Sequence, residues 1–107
     1  MNQITHDFLN DAPREERRAV SLQCEVRVRS GQWNPGRISN LTCEGFQLYT
    51  RETLTDGTAI ALRFAGLEPM RAQVCWNSRA KTGCRFERPL SIYVFEHLLR
   101  EYSSPLS

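Results

Sequence analysis

Lysine is nearly missing from this 107-residue chain: Lys81 stands alone, and all the other cations are arginines. Histidine is almost as scarce, with His6 and His97 far apart. The four cysteines, Cys24, Cys43, Cys75 and Cys84, include no C-x-x-C pair. Zinc sites draw on closely spaced ligand pairs, so this pattern gives no reason to expect a metal. No apolar run reaches the ~18–20 residues that span a bilayer. The N-terminus, Met1-Asn2-Gln3-Ile4-Thr5-His6-Asp7, has neither the basic start nor the apolar stretch of a secretion signal, which leads us to expect a cytoplasmic domain without a membrane span. An excess of one charge is missing too. Fourteen Lys+Arg against 12 Asp+Glu leave +2, too even a mixture for a dedicated nucleic-acid binder.

What is present suits one small globular core. Apolar residues make up 40% and charged residues 24%, a folded rather than a disordered balance. Residues 1–19 carry no regular periodicity and hold the charge cluster Arg14-Glu15-Glu16-Arg17-Arg18, so they read as a mobile arm. From Val20 the pattern changes: Val20, Leu22, Cys24, Val26 and Val28 alternate with polar residues, the signature of a strand with one dry face. Shorter alternations come after it around Ile38, at Phe46 and Leu48, at Ile60, Leu62 and Phe64, at Ala72, Val74 and Trp76, and at Cys84 and Phe86. Turn signals at Ser30-Gly31, Asn34-Pro35-Gly36, Thr55-Asp56-Gly57 and Ala65-Gly66 separate them. Six short strands with no room for parallel crossovers predict an all-β domain over residues 20–90, an antiparallel barrel or sandwich. Cys24, Cys75 and Cys84 sit inside these alternations and read as small buried hydrophobes. Beyond Pro89 the period turns helical. Ser91 is an N-cap, and Ile92, Phe95, Leu98, Leu99 and Tyr102 form the apolar stripe of an amphipathic helix over 91–102 that packs on the barrel.

Two clusters offer chemistry. In the arm, Arg14 and Arg18 have R-x-x-x-R spacing, and two guanidinium forks on a loose tether can close over one anion. Arg17, beside Arg18, is a second candidate for the same fork. Between two strands, Asn40-Leu41-Thr42-Cys43-Glu44-Gly45 supplies an amide, a hydroxyl and a glycine expected to take a backbone conformation closed to other residues. Cys43 is no nucleophile in this reading, because the neighbouring Glu44 disfavours a thiolate. His97 has no nucleophile near it in sequence, and no paired acids appear, so no catalytic residue and no enzyme are expected.

The order of these features, an arginine arm, a long alternating strand, then an N-x-T-x-x-G turn, resembles the PilZ domain family, whose pattern is R-x-x-x-R followed by D/N-x-S-x-x-G. The likeness continues through Gly45-Phe46-Gln47-Leu48, Ala72-Gln73-Val74-Cys75-Trp76 and Gly83-Cys84-Arg85-Phe86, and covers roughly Arg14 to Leu90. It implies a six-stranded β-barrel with a C-terminal helix and a ligand, cyclic di-GMP, with no other cofactor. It assigns Arg14 and Arg18 to phosphates and guanine edges, and Asn40, Thr42 and Gly45 to the opposite side of the ligand. Thr42 stands where the family usually has serine. The resemblance also implies a downstream protein partner, with a nucleotide-independent adaptor as the alternative reading.

Overall fold

The computed structural model describes residues 18–79 and 81–103, with Arg18 and Ala19 described by their backbone alone. The alternation that begins the described residues becomes β1 (Arg18–Val28), and the later runs become β2 (Asn34–Leu41), β3 (Gly45–Thr50), β4 (Ala59–Arg63), β5 (Met70–Ser78) and β6 (Lys81–Phe86). All neighbours are antiparallel, and the sheet closes on itself in the order β1-β2-β3-β6-β5-β4. Closure pairs β4 back onto β1 through Glu25–Arg63 to Val28–Ile60, which removes the edges an open sheet would expose.

The period-two pattern puts Leu22, Val26, Ile38, Leu41, Phe46, Leu48, Leu62 and Cys84 inside, each fully buried. The helix α1 (Ile92–Tyr102) comes last, and Ser91 caps it by accepting a hydrogen bond from the Val94 N–H at 3.2 Å. Phe95 and Leu98 enter the core, while Leu99 and Tyr102 pack against it from the side. The Tyr102 ring lies 5.2 Å from that of Phe64, and its hydroxyl donates to the Ala65 carbonyl. Ile92, expected in the buried stripe, is 51% exposed instead, in a first turn whose Tyr93 and Val94 are exposed as well.

Three interruptions of strict pairing decide what faces outward. The register shifts between Ala19 and Leu22 on β1, between Ile38 and Asn40 on β2, and between Val74 and Trp76 on β5. Each places an extra residue against a shorter stretch of the partner strand, a β-bulge; on β2 and β5 it reverses the facing of the residues beyond it, while on β1 Val20, Leu22 and Cys24 stay buried in phase. Trp76, which simple alternation puts inside with Val74, is thereby turned out. Cys75 takes the bulged position and is half-buried, rather than a core thiol like Cys24 and Cys84.

Candidate functional site

The three bulges border one continuous row of paired residues. Ala19 faces Asn40, Asn40 faces Gln47, Gln47 faces Gly83, and Gly83 faces Trp76, a line across β1, β2, β3, β6 and β5. The adjoining row, from Leu41 through Phe46 and Cys84 to Val74, points into the core. The Asn40 row therefore runs over the outside of the barrel. Asn40 donates from Nδ2 to Gln47 Oε1 at 2.9 Å. Among the described residues its other amide hydrogen and its Oδ1 make no hydrogen bond. Gln47 is only 5% exposed although it points outward, so its amide is a fixed platform for Asn40 rather than a mobile surface group. At the far end of the row the indole of Trp76 covers Gly83.

One step from this row is the turn joining β2 to β3. The Thr42 N–H donates to the Gly45 carbonyl at 2.9 Å. The Thr42 hydroxyl accepts from the N–H groups of Glu44 and Gly45, both at 3.0 Å, and donates its proton to the Gly45 carbonyl at 3.3 Å. A hydroxyl has one proton and two lone pairs, so this one is fully occupied in closing the turn. The remaining carbonyls anchor the turn from outside: Glu44 accepts from the Phe86 N–H at 2.9 Å and Cys43 from the Leu90 N–H at 2.7 Å. The result is a tight loop fastened to the end of β6.

The expected site residues fall into three groups. Asn40, Thr42 and Gly45 are brought together on one side of the barrel, with Asn40 facing outward and Thr42 buried at 2% exposure. Gly45 departs from expectation. It opens β3 in extended backbone opposite Arg85, and the glycines with positive φ among the described residues are Gly57 and Gly66. It serves the turn through its N–H and carbonyl, not through a left-handed conformation. Arg18 begins β1 with its Cα opposite Leu41, so the end of the arginine motif is joined to the strand beside the turn. Arg14 and Arg17 lie outside the described residues.

Gln47, Gly83 and Trp76 belong to the same surface; the family likeness runs through their segments but gave them no part in the site. A tryptophan on one strand and a glycine on the next were visible as letters, but only the register puts one on the other. Nearby, burial raises the Cys75 thiol above its ordinary value, an effect partly offset by the Arg85 guanidinium and reinforced by Asp56. A protonated thiol at neutral pH is a poor nucleophile.

No helix among the described residues is long and apolar enough to cross a membrane. Compared with known families, the chain matches the PilZ domain over residues 12–104. None of the curated proteins compared with it matches.

Proposed function

The chain belongs to the PilZ domain family, whose members generally serve as cyclic di-GMP receptors, and from that premise we propose that it is a non-enzymatic, cytoplasmic receptor for this dinucleotide. The observation that carries the reading is the pairing of Arg18 with Leu41, which tethers the R-x-x-x-R segment next to the Asn40–Gly45 turn. Cyclic di-GMP presents two phosphodiester charges and two guanines with O6 and N7 acceptors, and guanidinium forks match both kinds of target. In this proposal Arg14 and Arg18, with Arg17 as the neighbouring fork, close over the ligand. Asn40, held by Gln47, bonds a base edge or ribose with its remaining amide groups. Thr42 acts by fixing the turn, and Gly45 leaves room beside it. Four or five charge-assisted bonds at ~1.5–3 kcal/mol each, less the cost of ordering the arm, correspond to micromolar or tighter binding, about −8 kcal/mol. Ordering of the arm then presents a new surface to a downstream protein, a ligand-driven shift between two arm states.

Calorimetry with cyclic di-GMP on the whole chain, set beside Arg14→Ala and Arg18→Ala, tests the proposal. Saturable heat that either substitution removes supports it, and equal heats in all three proteins refute it. The occupied Thr42 hydroxyl favours one second reading, an adaptor that meets its partner without nucleotide. That reading requires amide NMR spectra that do not move when cyclic di-GMP is added.

A further inference from the structure

On another side of the barrel, four arginines surround two alanines. Arg27 on β1 pairs with Ala61 on β4, which pairs with Arg71 on β5. Two residues along, Ala59 pairs with Gln73, and Gln73 with Arg85 on β6. Ile60 and Leu62 point inward, so Ala59 and Ala61 present only methyl groups to the outside. Arg29, in the turn after β1, completes the ring. The arginines and alanines line a hollow of about 620 Å³, within the range of small-molecule sites. Strands lie ~4.8 Å apart, so the backbones of Arg27 and Arg71 lie about 10 Å from each other on either side of Ala61. Both guanidiniums are long enough to meet over it.

Three details separate this cluster from an ordinary charged face. Among the described residues the one ion pair is Arg63 with Glu25, at 2.8 Å, so none of the four arginines is neutralised in that way. Among the described residues Glu87 is the one carboxylate lining the hollow, in a chain whose overall excess is only +2. Arg27 is also held in place: its guanidinium lies 4.7 Å from the Trp33 ring, which Arg63 covers at 4.1 Å. Among the described residues its buried Nε meets no hydrogen-bond acceptor.

We propose that this hollow binds a compact small-molecule anion carrying two or three clustered phosphate groups. Phosphates bring the most negative charge in the least volume, and each presents oxygens at the spacing of a guanidinium fork. The small floor of Ala59 and Ala61 lets the anion approach within reach of all four side chains. The hollow shares no residue with the proposed dinucleotide site but adjoins it through Arg85, which pairs with Gly45, so the test rests on Arg29 and Arg71.

The test is calorimetry of the whole chain with inorganic tripolyphosphate at low ionic strength, with citrate as the carboxylate comparison. Saturable tripolyphosphate binding is expected, weakened about tenfold or more by Arg29→Ala or by Arg71→Ala and left unchanged by Arg100→Ala on α1. Arg29 and Arg71 are exposed, and amide spectra of each variant establish that the barrel is intact. Absence of saturable heat in the wild type overturns the proposal, as does undiminished binding by Arg71→Ala. Equal affinity for citrate overturns the assignment to phosphate. A loss that accompanies Arg18→Ala rather than Arg71→Ala places the anion at the turn and overturns the site.

Discussion

The indole of Trp76 lies against the α-carbon of Gly83 so closely that a Cβ at position 83 would stand 2.2 Å from the ring. No real pair of atoms tolerates that separation, so glycine at 83 and the seating of Trp76 are one feature. Gly83→Ala is expected to expel the indole toward solvent and cost about 1–3 kcal/mol, the usual penalty for overpacking. A red shift in tryptophan emission together with a lower urea midpoint checks this. An unchanged spectrum would mean that the ring does not depend on the glycine.

Thr42 gives a second test. Its hydroxyl makes three contacts inside the turn. Thr42→Val keeps the shape and leaves buried N–H groups unsatisfied, so a loss of about 1–3 kcal/mol is expected, with Thr42→Ser close to wild type. Chemical denaturation measures both. Equal stabilities for the valine and serine variants would show that the hydroxyl does not hold the turn.

Cys24 makes stability sensitive to alkaline pH. Burial pushes its thiol from the ordinary 9.0 up to about 12. Burial also pushes Cys84 upward. With the folded-state value raised, the folded protein retains the proton that the unfolded chain releases. The resulting stability is present in full below about pH 9 and is lost as the pH rises from there toward about 12. The slope for one such thiol is roughly 1.4 kcal/mol per pH unit. Urea midpoints measured from pH 8 to 11 should fall, and should fall less steeply in Cys24→Ala. Identical pH dependence in the two proteins would remove Cys24 as a cause.

The helix is the plug of the barrel rather than an appendage. Leu98 is fully buried, so Leu98→Ala is expected to cost about 2–5 kcal/mol and lower the melting temperature by many degrees. Tyr93→Ala, at a position 83% exposed, should leave stability within about 0.5 kcal/mol of wild type. Equal melting temperatures for the two variants would contradict this division.

Much of this protein was legible in its letters. Alternation from Val20 onward, turn residues at regular intervals and the stripe after Ser91 were enough for six antiparallel strands, as a barrel or a sandwich, with a terminal helix, because burial of one face imposes a period of two on strands and 3.6 on helices. The order of the arginine and N-x-T-x-x-G motifs was enough for the family. Tertiary structure decided the facing of Trp76, the half-burial of Cys75 and the gathering of Asn40, Gln47 and Gly83 into one row. It also assembled the arginine ring around Ala59 and Ala61. These arrangements come from register and bulges, which arise when two strands pair with unequal numbers of residues. A single strand's pattern contains no count of its partner, so no reading of one strand at a time could have supplied them.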